Sequence, residues 1–266
     1  MEGCMAGLTD WDAAFENGAH IPGGADYPSR WQALAAAYRA TARARLDLPY
    51  GAGARECFDL FLPQGAPKGL AVFVHGGYWK AFDKSTWSHL AQGAVARGWA
   101  MAMPSYTLAP GATLAQMTAQ IARAVAAARA EVPGPVRLAG HSAGGHLVAR
   151  MLCADQTDIA DRAVSISGLH DLRPLLHTKM NEILRLTPDM AQAESPALLE
   201  QRPGTQLTAW VGGHERPEFL RQSALIREAW PGTRLVVDDD LHHFNVIAAM
   251  AEPDSPLTNA ILQDTP

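Results

Sequence analysis

The sequence is poor in several things, and each shortage excludes something. Its 266 residues hold only three cysteines, Cys4, Cys57 and Cys153. An odd number with no paired spacing supports no disulfide framework, so a reducing cytoplasm is the expected compartment. Cys57 lies in a strand-like run and Cys153 in a helix-like one, where a cysteine acts as a small buried hydrophobe. Charge is sparse as well: Lys, Arg, Asp and Glu make up 18% of the chain, and the net charge is −5. The arginines of "YRATARARLDL" fit one solvated helix face, and no basic cluster is long enough to attract nucleic acid or an anionic membrane surface. No uninterrupted apolar run approaches the roughly 18 residues that a spanning helix needs. The start, "MEGCMAGLTDWDAAFENGAH", has neither the basic beginning nor the apolar core of a secretory signal. Repeats and low-complexity tracts are missing too. What remains is a soluble globular composition, 48% hydrophobic, expected to form a single domain over residues 1–266 with a substantial core.

The apolar pattern alternates between two periods. Strands are expected over 55–63, 69–77, 99–106, 136–140, 162–168, 206–213 and 233–239, and helices over 31–46, 84–98, 113–132, 143–154, 217–230 and about 244–263. Pro63 ends the first run, which marks it as a strand near the sheet edge. "GLAVFVHGG" is apolar throughout and bounded by glycines, as a strand buried on both faces should be. Between about 169 and 204 the rhythm breaks into helical fragments separated by Pro174, Pro188, Pro196 and Pro203. This segment reads as a small helical cap. Regular alternation elsewhere predicts an α/β fold, with a mainly parallel sheet covered by helices on both faces.

Chemistry concentrates in four short stretches. "LAGHSAGGHL" (138–147) places Ser142 between an apolar strand and an apolar helix, with Gly140 and Gly144 completing G-x-S-x-G. Glycines there let a sharp turn hold a serine hydroxyl out at its tip, and the following helix aims unpaired N–H groups at the same point. The bland alternative is a tight turn with a helix-capping serine. "HGGYW" (75–79) follows a buried strand, and its glycines expose backbone N–H groups suited to an oxyanion. The donors expected are Gly77 or Tyr78, together with Ala143. His75 reads as a brace for that loop rather than a reacting group.

A base is expected after the last strand, where "VVDDDLHHFNVI" offers His242 and His243. His243 is preferred because a following aromatic and helix start would pin its loop, and His242 stays open. Adjacent histidines chelate poorly without converging ligands, so no metal is expected. For the orienting acid, Glu215 stands in the loop after 206–213, with Asp171 and Asp238–Asp240 as rivals. Glu218 falls in a first helical turn, which the helix dipole explains.

The blocks "HGGYW", "GHSAGGHL", "VGGHERPEFLRQS" and "HHFNVI" together resemble the kynurenine formamidase (arylformamidase) branch of the α/β-hydrolases, close to the hormone-sensitive-lipase-like esterases. The likeness runs from about 55 to 260. It implies an α/β-hydrolase fold with Ser142 as nucleophile, His243 as base and the acid at Glu215, where family members usually carry aspartate. Ser105-Tyr106-Thr107 also departs from the acid-Tyr-Arg start customary in the esterase pattern.

The expectation is a cytoplasmic serine hydrolase that cleaves a small ester or aryl-formamide through an acyl-enzyme, with no cofactor. Tyr78 and Trp79, with Trp87 nearby, are candidates for an aromatic substrate wall, although core packing accounts for each as well. The partner expected is a small-molecule ester or amide, not nucleic acid or membrane, and the residues leave homo-oligomerisation open. Two alternatives stand beside this reading: a thioesterase on the same scaffold, and a non-catalytic ligand-binding protein of the same fold.

Overall fold

The apolar runs become the strands of one sheet in the computed structural model, which describes residues 10–262. Cys4 lies outside the described residues. In chain order the strands are β1 Ala44–Pro49, β2 Cys57–Phe61, β3 Leu70–Val74, β4 Ala100–Pro104, β5 Val136–His141, β6 Arg162–Ile166, β7 Gln206–Gly212 and β8 Arg234–Asp238. They lie side by side as β1-β2-β4-β3-β5-β6-β7-β8. β2 runs antiparallel to both β1 and β4, and the pairs from β4 to β8 are parallel. The helices are α1 Trp11–Phe15, α2 Tyr27–Thr41, α3 Gln92–Ala96, α4 Leu114–Glu131, α5 Ala143–Arg150, α6 Asn181–Leu184, α7 Pro188–Ala193, α8 Pro217–Ala229 and α9 Pro256–Leu262.

The alternation of strand side chains divides the core in two. Val72 and Val74 of β3 pack with Ile121 and Val125 of α4, Leu147 of α5 and Phe219 of α8. Ala71 and Phe73 face the other way, toward Trp31 of α2, Ala94 of α3 and Ile261 of α9. Burial on both faces explains why β3 is apolar at every position. α4 starts at a capping box, in which Thr113 and Gln116 each satisfy the other's backbone N–H. Among the described residues no helix is long and apolar enough to cross a membrane.

Three expected helices differ in the structure. The one expected over 31–46 begins at Tyr27 and ends at Thr41, and Ala44 to Leu46 enter β1. Helix propensity in this alanine-rich run yields to pairing with β2, where Arg45 lies opposite Leu60 and Leu48 opposite Phe58. The helix expected over 84–98 breaks into the 3-10 turns Lys84–Thr86 and Ser88–Ala91 before α3. Between the turns the indole of Trp87, 2% exposed, packs against Trp31 at 4.6 Å and Phe73 at 6.5 Å. The helix expected from about 244 shortens to turns and α9, because Pro253 and Pro256 interrupt it.

Residues 169–204 fold as the 3-10 helices Arg173–His177 and Pro196–Leu198 with α6 and α7 between them. Glu194 anchors this segment. Its carboxylate accepts from Thr118 of α4 at 2.7 Å and from Arg150 of α5 at 3.1 Å. Its carbonyl takes the His146 Nε2 hydrogen bond at 2.7 Å. Burial pushes the His146 imidazole down to about 3, which keeps it neutral in that role.

Candidate active site

Ser142 stands between β5 and α5 with φ 55° and ψ −118°, a backbone that an L residue adopts only under constraint. A Cβ on Gly140 would collide with the Gly144 carbonyl, and one on Gly144 with the Val74 carbonyl. The small flanks therefore allow β5, α5 and β3 to close around the turn. The Ser142 hydroxyl makes no cap bond to its own helix, so the capping alternative fails. The sheet holds the turn from below, since Ser142 N–H donates to Ile166 of β6 at 2.8 Å.

The loop after β3 lies against this turn. Gly77 (φ 115°), Tyr78 (φ 53°) and Trp79 (φ 57°) are all left-handed, which turns the backbone sharply. Among the described residues the N–H groups of Gly77 and Tyr78 have no acceptor. His75 braces the loop: Nδ1 donates to the Gly76 carbonyl at 2.7 Å, the ring stacks on Tyr106 at 4.6 Å, and the Tyr106 hydroxyl donates to the His75 carbonyl at 3.0 Å. Burial pushes the His75 imidazole down to about 4, so it stays neutral.

His243 follows β8 and turns Nδ1 to Oε2 of Glu215 at 2.6 Å. Its ring rests on Phe219 at 4.4 Å and beside His141 at 4.7 Å. His141 donates Nε2–H to the His243 carbonyl at 2.9 Å and so steadies the loop. Burial, and then the nearby His243, hold the His141 imidazole well below the usual histidine range. With Nδ1 committed to Glu215, Nε2 is the ring nitrogen of His243 left for other work. Among the described residues no hydrogen bond joins His243 to the Ser142 hydroxyl. The two side chains line the same cavity.

The rivals are occupied elsewhere. His242 Nδ1 accepts from the backbone of Phe244 at 3.2 Å and Asn245 at 3.4 Å, and its Nε2 meets Tyr27 Oη at 3.3 Å. Asp171 binds Arg173, through the backbone N–H at 3.0 Å and the guanidinium at 2.8 Å and 2.9 Å. Glu218 pairs with Arg221 at 2.7 Å on its own helix. Asp239 and Asp240 are exposed and Asp238 half-buried. Glu215 is the carboxylate brought to His243, and its Oε1 also accepts from Gly212 N–H at 3.0 Å and from the Ser167 hydroxyl.

The cavity above Ser142 has a volume of about 450 Å³. Trp31, Phe82, Trp87 and Phe244 give it aromatic walls, with Tyr78 and Gly77 beside the serine. Trp79 does not line it; that ring is fully buried, 5.3 Å from His146. One wall comes from the N-terminal stretch, through Glu16, Gly18, Ala19, Gly24, Ala25 and Pro28. This stretch carries no signal of a role in the sequence, because its glycine- and proline-broken pattern has no period. Tyr78 secures it, donating its hydroxyl to the Phe15 carbonyl at 2.8 Å and accepting from Asn17 at 3.1 Å. The segment 169–204 contributes instead to a neighbouring pocket of about 310 Å³, through Thr178, Lys179 and Met180. Glu16 and Tyr78 border both spaces. Among the described residues no group of three or more His, Cys, Asp or Glu side chains is placed to hold a metal ion.

Comparison with known proteins agrees with this architecture. Residues 71–262 match the alpha/beta hydrolase family. The kynurenine formamidase of Danio rerio is 30% identical over 244 residues, covering 85% of this chain and 83% of that protein. A crystal structure from Silicibacter sp. TM1040, provisionally described as a thioesterase, superposes with a TM-score of 0.93 at 52% identity, covering 96% of this chain and all of that one. An esterase from Pyrobaculum calidifontis shares the fold, with a TM-score of 0.66 at 16% identity over 85% of each chain.

Proposed function

The chain belongs to the alpha/beta hydrolase family and is a hydrolase, and on that premise we propose that Ser142, His243 and Glu215 form its catalytic triad. The activity we assign is cleavage of a small ester or an aryl-formamide through an acyl-enzyme. The observation that carries this reading is the 2.6 Å contact of the buried Glu215 with Nδ1 of His243, whose ring lines a cavity together with Ser142.

In the first half-reaction His243 Nε2 takes the Ser142 proton as Oγ attacks the substrate carbonyl carbon. Glu215 fixes the tautomer that leaves Nε2 basic, and it stabilises the imidazolium once formed. The carbonyl oxygen, now negative, is received by the N–H groups of Gly77 or Tyr78 and of Ala143; removing one such donor typically costs about 3 kcal/mol of transition-state stabilisation. His243 returns the proton to the leaving alcohol or arylamine as the bond to the acyl carbon breaks. Water then attacks the acyl-enzyme with the same base, releasing the acid and regenerating Ser142.

The aromatic walls fit an aryl group on one side of the scissile bond. Tyr78 is the substrate-facing member of the expected aromatic pair. Free thiols at Cys57 and Cys153 are in keeping with a cytoplasmic protein. The substrate is tested by comparing N-formylkynurenine, a panel of short-chain aryl esters and a short acyl thioester at equal enzyme concentration. A kcat/KM for the formamide or an aryl ester well above that for the thioester supports this assignment. A thioester preference of tenfold or more would replace it with the activity ascribed to the Silicibacter protein.

A further inference from the structure

Glu215 needs more than His243 to stand where it does. Its side chain is wholly buried, and a buried carboxylate is stable as an anion only when donors surround it. Among the described residues no lysine or arginine pairs with it. Oε2 faces His243, while Oε1 is held by two donors, the Gly212 N–H at 3.0 Å and the Ser167 hydroxyl. Gly212 belongs to the same strand end as the acid. Ser167 comes from the neighbouring one, just past β6, and is itself 0% exposed.

The backbone of Ser167 is unusual. Its φ is 51°, left-handed like that of Ser142, which stands at the end of the adjacent strand β5. The Ser167 N–H is fixed to the Trp210 carbonyl of β7 at 2.7 Å, so this conformation is locked into the sheet. Glycine would adopt such an angle at less cost. A serine here, with its hydroxyl on the acid, points to a role for the side chain rather than for the bend.

We propose that Ser167 is a positioning residue for the acid, holding Oε1 so that Oε2 stays aligned on His243 Nδ1. The proposal rests on the triad assignment above. Glutamate has one more rotatable bond than aspartate, and a second donor on Oε1 removes that freedom. The relay then has four side chains, Ser167, Glu215, His243 and Ser142, contributed from the ends of β6, β7, β8 and β5. Ser167 does not line the cavity, so it acts through Glu215 and not on substrate.

Losing the hydroxyl concentrates the carboxylate charge on its remaining side-chain partner, His243, and favours the imidazolium. The acid limb of the rate profile, where protonated His243 is inactive, therefore moves to higher pH. The other titratable groups facing this pair are Tyr78, with its phenol pushed up to about 12, and His242 and His141, both lowered by burial. None of them contacts Ser167 through a hydrogen bond among the described residues.

The test measures p-nitrophenyl acetate hydrolysis between pH 5 and 9 for wild type, S167A, S167G, E215Q and the double variant S167G/E215Q. The expected result is a fall in kcat of about tenfold or more in both S167A and S167G, with KM within about twofold. The acid limb should shift upward by about half a pH unit, and S167G should add no further loss to E215Q. S167A removes the hydroxyl alone, while S167G also relieves the left-handed backbone, so a loss common to both belongs to the hydroxyl and not to the bend. Unchanged kcat and pH profile in S167G would overturn the proposal, as would an equal loss in the E215Q background. Full activity in E215Q would instead bring down the triad assignment, and this inference with it.

Discussion

Nδ1 of His243 lies 2.6 Å from Oε2 of Glu215, 28 residues earlier in the chain, and both side chains are buried. One residue is carried by the loop after β8 and the other by the loop after β7, so the contact depends on the parallel pairing of those strands. The Glu215 carboxylate folds back onto the Gly212 N–H at the end of β7, which draws this long side chain in toward the sheet.

The acid assignment is open to a direct contrast. Glu215→Gln should lower kcat by about 10³- to 10⁴-fold, because an amide that presents its NH2 to Nδ1 selects the wrong tautomer. Asp171→Asn should leave kcat within a few-fold while weakening the hold on Arg173. Steady-state kinetics with an aryl ester distinguishes them, and the opposite pattern would move the acid to Asp171.

The two adjacent histidines should separate just as sharply. His243→Ala removes the base and should cost at least about 10³-fold in kcat. His242→Ala removes the acceptor that caps the turn at Phe244 and Asn245, so it should cost about 1 kcal/mol of stability and leave kcat within a few-fold. Urea titration beside the kinetics reads both effects. A large loss of kcat in His242→Ala with a normal His243→Ala would reverse the assignment.

Tyr78→Phe isolates the link between the cavity and its N-terminal wall. The ring stays, while the hydroxyl bonds to Phe15 and Asn17 go. KM should rise several-fold, in line with about 1 kcal/mol per hydrogen bond lost, and kcat should change little because the oxyanion donors are backbone groups. A selective loss of kcat would mean that the hydroxyl itself takes part in the reaction.

Much of this site was legible in the residues, for identifiable reasons. The turn at Ser142 could be read because its glycines lie between an apolar strand and an apolar helix, both with clear periods. Glu215 and His243 could be placed because each follows a well-marked strand. Ser167 and His141 gave no signal, since their partners are a carboxylate 48 residues away and a carbonyl 102 residues away. The N-terminal wall was hidden for the same reason: Tyr27 and Trp31 find their place only against His242 and Phe244 at the far end of the chain. β1 carries no strand signal of its own, because its first residues continue an alanine-rich helical pattern and most of its side chains are exposed; only pairing with the buried strand β2 decides otherwise.

Acid should destabilise this protein well above the carboxylate range. His75 and His170 are held at about 4 and His146 at about 3, against an ordinary value of 6.5, all three chiefly by burial. Below pH 6.5 the unfolded chain binds protons that the folded chain refuses, so stability falls as pH falls from there toward the folded values. At pH 5 the loss is roughly 2 kcal/mol for each histidine. Calorimetry should show Tm lower at pH 5 than at pH 7 by at least about 5 °C. A Tm that holds steady across that interval would mean these imidazoles are protonated in the folded state.

A Ser142 hydroxyl made nucleophilic by the His243–Glu215 pair should react covalently with an activated phosphonate. Treating the folded protein with a fluorophosphonate and mapping the adduct by mass spectrometry tests it most directly. One stoichiometric label is expected, on the peptide containing Ser142, lost in Ser142→Ala and formed far more slowly in His243→Ala. Wild-type protein that stays folded and takes no label at Ser142 would contradict it, leaving a ligand-binding protein of this fold.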